Sequence, residues 1–372
     1  MARPQAYKKI KSQSADIGKL ASKPFSFVMI ICALVLGLIG SIGLALSIGQ
    51  VSVSFGDAMR IVVNQMFGSL PDHPDGTLPA GAVDIIWNIR FPRVLLAMIV
   101  GAGLALCGTV MQAFVQNPLA DPYILGISSG ASLGATFSIM LGIGTASLAG
   151  NMGVAFWAFI GALGAAGAVM ILANLGGKIS SAKLVLMGTV VNALCSACSN
   201  FIIYMASSSE GIRSVTFWTM GSLASAKWDS LPLVGGITVA AIFFFMMQSR
   251  VLNTMLMGDE AAITLGMNMK AYRGLYMVIS SVLTGTLVAT CGIIGFVGLI
   301  IPHIARSMVG SDHKRLLPVA ILFSAIFLVW TDVLARTVIP NSELPIGIVT
   351  ALLGAPMLMY MLLKKNYGFG GN

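Results

Sequence analysis

Read from the N-terminus, the sequence is a succession of long apolar runs separated by short polar breaks. The first run extends from about Phe25 to Ile48, and later ones lie at roughly 92–115, 123–143, 152–175, 183–206, 231–248, 272–290, 292–309, 316–336 and 345–363. A helix needs about 20 apolar residues to cross a hydrocarbon core, and a span in lipid must satisfy its own backbone hydrogen bonds. The pattern therefore predicts an all-α polytopic membrane protein with about ten transmembrane helices. The first run exceeds the roughly 7–15 residues of a secretory h-region, so it reads as an anchored span. Between the first two runs lies a polar stretch, Gln50 to Asn88, broken by Pro71-Asp72-His73-Pro74-Asp75-Gly76. Ahead of that break, Phe55 to Phe67 is expected to form a short amphipathic helix lying on the membrane. The expected organisation is a basic tail (1–24) and one ten-helix domain (25–366), followed by a tail at 367–372. Within the domain, 50–89 is an extracytoplasmic loop and 249–271 a cytoplasmic segment.

Composition strengthens this picture. Of 372 residues, 57% are hydrophobic and 9% charged, against about 25% charged in a soluble domain. Soluble enzymes, nucleic-acid binders and secreted disulfide scaffolds are excluded. The net charge of +9 reads as topological, because Lys and Arg collect in cytoplasmic loops. With the N-terminus in the cytoplasm, sixteen of the 22 basic residues fall in or beside cytoplasmic segments. The other six are Arg60, Arg90, Arg93, Arg213, Lys227 and Arg336, at the outer side with Trp87, Trp218, Trp228 and Trp330. Glycine recurs at helix-packing intervals, as in Gly37/Gly40/Gly43, Gly130/Gly134, Gly161/Gly164/Gly167 and Gly292/Gly295/Gly298. Small residues let helix backbones approach closely in lipid, and the sequence has no Walker A pattern. The five cysteines all lie within apolar runs. They are read as small buried side chains, the Cys195-x-x-Cys198 spacing included.

Several short constellations stand out against this apolar background. Asn117-Pro-Leu-Ala-Asp-Pro122 is a rigid polar break, equally suited to an ordinary tight turn and to a fixed gate element. Arg90 and Arg93 flank Phe91-Pro92 and share one helix face. Forked guanidinium groups on the outer side suit docking of an acidic partner, the preferred reading, with snorkelling or pairing with Asp84 as the alternative. Asp332 and Arg336, four apart, read as a local ion pair ahead of a proton relay. The stretch Gly258 to Gly266 carries start and stop signals for a short helix, either a lever for a soluble partner or an interfacial loop helix. Ser128, in a Gly-x-Ser stretch, and His303 would together suit a serine protease only within hydrogen-bond reach. Packing and turn roles are the preferred reading of both.

Taken in order, these pieces resemble the permease subunit family of bacterial ABC importers for iron–siderophore complexes, haem and vitamin B12. The matching stretches begin with Arg90-Phe-Pro-Arg93, Gly101-Ala-Gly-Leu-Ala105 with Gly108 and Gln112, and Asn117 to Pro122. They continue with Leu125-Gly-Ile-Ser-Ser-Gly-Ala131, Trp218-Thr-Met-Gly-Ser222 and Gly258 to Gly266. The last are Gly295 to His303 with Arg306, Asp312 to Pro318, Asp332 and Arg336, Glu343-Leu-Pro-Ile-Gly347 and Gly354-Ala-Pro356. The resemblance runs from about residue 50 to the C-terminus, and the basic tail and the 71–81 insertion depart from the family pattern.

The resemblance implies a type II ABC importer permease architecture in the bacterial cytoplasmic membrane, with both termini cytoplasmic. Its partners would be a second copy of the permease, two cytoplasmic ATPase subunits that hold the ATP and Mg, and an extracytoplasmic substrate-binding protein. The chain itself would carry no cofactor, no metal site and no catalytic residue, and nucleic acid is not among its partners. By resemblance, Arg90, Arg93 and Arg336 engage the binding protein. Gly258, Asp259, Glu260, Ala262, Leu265 and Gly266 belong to the helix that couples to the ATPase. Asn117 and Leu119, with Ser180 and Ser181, form the cytoplasmic gate, and spans five and ten line the pathway. The expected cargo is a metal chelate, a ferric siderophore or other iron complex first, haem or cobalamin second. A secondary transporter and an intramembrane protease are the remote alternatives.

Overall fold

The computed structural model describes residues 24–68, 81–142, 151–175, 180–206 and 208–364. Residues 1–23 of the basic tail, nearly all of the 71–81 insertion and the C-terminal tail lie outside the described residues. Among the described residues the secondary structure is helical without a strand. The α-helices are α1 (Pro24–Ser47), α2 (Phe55–Phe67), α3 (Phe91–Val115), α4 (Ile127–Leu141), α5 (Asn151–Asn174), α6 (Ser181–Met205) and α7 (Ser209–Thr219). They continue with α8 (Leu231–Met247), α9 (Ser249–Met255), α10 (Asp259–Thr264), α11 (Met269–Cys291), α12 (Val297–Val309), α13 (His313–Thr337) and α14 (Ile346–Lys364). A π-helical turn, Asp84–Arg90, runs straight into α3, and a 3-10 turn, Pro122–Leu125, precedes α4.

The ten expected spans divide by length. Six helices are long and apolar enough to cross a membrane: α1, α3 with its π-turn, α5, α6, α11 and α13. Helices α8 and α9 form one bent pair with a 65° turn between them. The remaining three positions hold shorter apolar helices, in α4, α12 and α14. The expected amphipathic helix Phe55–Phe67 is present, capped by Ser54, which accepts from Asp57 N.

Two features differ from the sequence reading. Residues 292–296 are not helical, so α12 begins at Val297. Gly292 sits at φ 71°, ψ −162° as the cap of α11, and a Cβ there would stand 2.2 Å from the Trp218 carbonyl oxygen. Backbone freed by such a break must find partners inside the protein. The Tyr123 hydroxyl donates to Ile294 O (3.0 Å) and accepts from Ile294 N (3.3 Å). Ser222 N donates to Cys291 O (2.8 Å), while Ile346 N and Gly347 N reach Gly221 O and Met220 O. Secondly, α7 fills a stretch where no helix was expected; Ser208 caps it by accepting from Gly211 N (3.0 Å).

Helix α3 is the hub, packing against α8, α11, α12 and α13, and 83% of its apolar window is buried against 11% for α1. Glycine permits the closest crossings, as the sequence spacing implied. A Cβ at Gly130 would fall 2.3 Å from Gly161 O between α4 and α5, and one at Gly108 1.8 Å from Gly298 O between α3 and α12. Gly40, Gly164, Gly167 and Gly295 have open space instead. Cysteine burial is likewise mixed: Cys107, Cys195 and Cys291 are buried, whereas Cys32 and Cys198 are exposed free thiols rather than buried packing groups.

Candidate functional site

The residues singled out in the sequence gather at the two ends of α3, about 37 Å apart by helical rise. At the N-terminal end, the π-turn Asp84–Arg90 carries Arg90 into the last turn of α1, whose carbonyls lack intrahelical partners. Arg90 Nη1 donates to Leu46 O (2.6 Å) and Ser47 O (3.1 Å), and Nη2 to Val51 O. Arg93 Nε donates to Asp332 Oδ1 (2.8 Å), and its Nη1 to both oxygens of Glu343 (2.9 and 2.8 Å). Arg336 Nη2 donates to Ala45 O, and its Nε lies 3.6 Å from Asp332 Oδ2, an ion pair too long for a hydrogen bond.

All three guanidinium groups are buried, 4–6% exposed. None pairs with Asp84, which instead accepts from Asn88 (3.0 Å). All three point into the protein and tie α1, α3 and α13 together, and their engagement of a binding protein is taken up below as a proposal. Burying a guanidinium is costly unless it is paired, and the adjacent carboxylates and helix-end carbonyls supply the pairs. The expected Asp332–Arg336 pair is present, but the shorter contact of Asp332 is to Arg93. A carboxylate held between two arginines has no proton-relay geometry.

At the C-terminal end of α3 lies the Asn117–Pro122 break. Gln116 caps α3 in the left-handed region at φ 56°. Asn117 Oδ1 accepts from Leu119 N (2.9 Å), and Ala120 N donates to Asn117 O (3.0 Å), so the segment is a fixed turn. Asp121 then caps the 3-10 turn, accepting from Tyr123 N (2.9 Å). Burial raises its carboxyl from the usual 3.8 to about 6, which the Tyr123 N–H only partly opposes. Asn117 is exposed and Leu119 partly buried. Ser180 caps α6 by accepting from Lys183 N (3.3 Å).

Helix α10 spans Asp259–Thr264, starting directly after Gly258 and ending two residues before Gly266, the glycines expected to bound it. Its faces are unlike one another. Ala262 is fully buried, whereas Ile263 is 60% and the adjoining Leu265 64% exposed, and Glu260 is exposed. Gly258 and Gly266 take positive φ of 101° and 84°, conformations that L side chains rarely adopt. Ala262 therefore seats the helix against the protein, while Glu260, Ile263 and Leu265 form an outward knob.

One connection was not legible in the sequence. Arg273, counted there only as a basic residue bordering a loop, is 2% exposed. Its Nη1 and Nη2 donate to Asp259 Oδ2 (2.9 Å) and Oδ1 (2.8 Å), and Nη2 also to Ser181 Oγ (2.8 Å). Nε and Nη2 reach Phe114 O (3.3 Å each). Gln116 Nε2 completes the cluster with Asp259 Oδ1 (2.7 Å) and Met255 O (3.1 Å). The structure thus brings Asp259 of the expected coupling segment together with Ser181 and the turn before Asn117.

A second unread feature lies on α6. Thr189, Asn192, Ser196 and Asn200, three or four apart on one face, are exposed. Beside them Ser129, Ser132, Ser196, Ser199, Asn200 and Thr216 help line a cavity of about 210 Å³. Their helical spacing was the available signal.

Comparison with known proteins places these features in a family. The FecCD transport family matches residues 33–364. The hemin transport system permease protein HmuU of Yersinia pestis is 40% identical, over 76% of this chain and 84% of that protein. The vitamin B12 import system permease protein BtuC of Salmonella paratyphi A is 39% identical, over 78% and 87%. Among solved structures, an inward-facing conformation of a metal-chelate type ABC transporter superposes with a TM-score of 0.77 at 31% identity, covering 91% of this chain and 99% of that one. The chain belongs to the FecCD transport family.

Proposed function

We propose that this permease works as one of two identical membrane subunits of an ATP-driven importer, carrying a metal chelate by alternating access. A ferric siderophore or similar iron complex is the first reading of the cargo. Haem or cobalamin is the second, favoured by the relatives named for hemin and vitamin B12 transport. Two ATPase subunits bind at the α10 end, a substrate-binding protein docks at the opposite end of α3, and both termini are cytoplasmic. The observation that carries this reading is α10. A six-residue helix seated on one face and exposing Ile263 and Leu265 on the other is shaped to fill a groove in a soluble partner.

The α6 stripe supports the rest. Four exposed polar side chains on a span are costly against lipid, so they face an aqueous pathway completed by a second copy. At the opposite end, inward-bound Arg90, Arg93 and Arg336 hold the docking surface in shape, and Glu343, with a 44% exposed side chain, is the more open member of that cluster. Ser128 and His303 belong to this transport scaffold, and hydrolysis of ATP belongs to the partner subunits.

The test is uptake into proteoliposomes containing the permease, its ATPase and its binding protein, with 55Fe-ferrichrome, hemin and cyanocobalamin as probes. ATP-dependent accumulation of ferrichrome above the other two is expected. Hemin or cyanocobalamin preference selects the second reading, and uptake without ATP or ATPase overturns the proposal.

A further inference from the structure

Resting on the reading above, we infer that Arg273 is the positioning residue that transmits displacement of α10 to both gate segments at once. Its contacts are arranged for that task. One guanidinium grips the first residue of α10 with a two-bonded fork. Its remaining donors hold the last turn of α3 at Phe114 O and the first residue of α6 at Ser181. Ser181 Oγ also lies 3.4 Å from Phe114 O, which closes the triangle. Gln116, the residue immediately before the Asn117 turn, takes the same carboxylate oxygen as Arg273 Nη2. Asp259 is thus tied directly to one gate segment through Gln116 and to the other through Arg273.

The backbone around α10 makes these bonds matter. Gly258 and Gly266 bound the helix at positive φ, where glycine alone is free of Cβ strain, and on this inference a push on Ile263 and Leu265 turns the helix about these ends. The polar ties to the protein then run through Asp259, because Ala262 offers only a methyl contact. Arg273 is 2% exposed, so releasing all of its partners at once would leave its charge unpaired, and the segments it holds move together. Here the bonds converge on segment ends: the C-terminus of α3 and the N-termini of α6, α10 and α11.

The geometry of the fork also separates position from charge. Lysine keeps the positive charge but is a point donor on a flexible stem. It cannot hold a bidentate carboxylate, a hydroxyl and a helix-end carbonyl in one plane. If charge alone fastens this corner, Arg273→Lys restores it; if the fork transmits movement, Arg273→Lys fails.

The experiment uses the permease assembled with its ATPase subunits in nanodiscs, with the five native cysteines replaced and Leu119→Cys as reporter. Maleimide labelling is compared between the nucleotide-free and ATP–vanadate states. The reference complex is expected to change its labelling rate with nucleotide. In Arg273→Lys and Arg273→Gln that difference should fall about 5-fold or more, the range of ordinary inter-site coupling, while ATP hydrolysis continues. Retention of the full difference in either variant overturns the inference, as does its loss strictly in step with ATPase assembly. Should both variants fail to assemble, Gln116→Leu removes only one tie. A smaller loss in the same direction supports transmission, and an unchanged difference overturns it. A reference complex with no nucleotide response overturns the importer reading itself, whereas a responsive reference with fully responsive variants overturns only the role of Arg273.

Discussion

The two ends of α3 use the same chemistry for opposite purposes. At the N-terminal end three buried arginines meet Asp332, Glu343 and the carbonyls of α1. Asp332 lies on the long helix α13 and is 1% exposed, the carbonyls belong to the last turn of α1, and Glu343 lies on the loop between α13 and α14. At the C-terminal end one buried arginine meets a carboxylate whose side chain is 36% exposed, on a six-residue helix between two glycines. The first cluster joins long helices, and the second joins a short helix between two glycines that, on the inference above, pivots. A buried ion pair is therefore no signature of rigidity by itself. What it fastens decides whether it is a lock or a joint.

The largest expected effect tests the lock. Asp332→Ala removes the carboxylate shared by Arg93 and Arg336, leaving buried cations short of a partner. Losing one member of a buried pair costs about 3–5 kcal/mol, so unfolding in mixed detergent–SDS micelles should shift by that amount. A loss under about 1 kcal/mol would mean that this end is as loosely held as the other.

The same truncation at the joint should be milder. Asp259→Ala leaves Arg273 bound to Ser181 and Phe114 O, and water can follow into the half-open position of the carboxylate. A cost of about 1 kcal/mol is expected, measured in the same micelles. A cost equal to that of Asp332→Ala would erase the distinction between the two ends.

The sequence made the spans readable because hydrocarbon imposes a long apolar run on every crossing, and α2 was readable from its amphipathic pattern. The break at 292–296 was not, since Gly292-Ile-Ile-Gly-Phe296 is as apolar as a helix would be. What breaks it is the Trp218 carbonyl 2.2 Å from any Cβ at Gly292, set by a segment about seventy residues away. The direction of Arg93 was hidden for the same reason, because its partners lie 239 and 250 residues along the chain. Arg336 fared better, having one partner a single turn away. Arg273 looked like an ordinary loop-side charge because Asp259, Ser181 and Phe114 converge on it only in three dimensions. The Gly258–Gly266 stretch and the Asn117 turn were visible as motifs, and their connection was not.

The smallest effect sharpens the picture of the joint, where a second carboxylate sits close by in sequence on a different footing. Asp259 takes a guanidinium, whereas Asp121 takes the Tyr123 backbone N–H and is raised by burial to about 6. A carboxyl whose folded pKa exceeds its unfolded value favours the fold in its protonated form. That contribution is fully present below about 4 and lost as the pH rises through about 6. Near neutral pH the ionised Asp121 therefore works against the fold. Asn has the same shape, carries no charge and still accepts the Tyr123 N–H as a cap. Asp121→Asn should raise the thermal midpoint in detergent by about 1–3 °C at pH 7.5, as expected for a modest gain in a chain of this size. The gain should shrink as the pH falls to 5, because the wild-type carboxyl is then largely protonated. A gain independent of pH would mean that ionisation of Asp121 is not its source, and a variant less stable at pH 7.5 would mean that Asp121 is held by a charge rather than penalised by burial, so that both carboxylates belong to the joint.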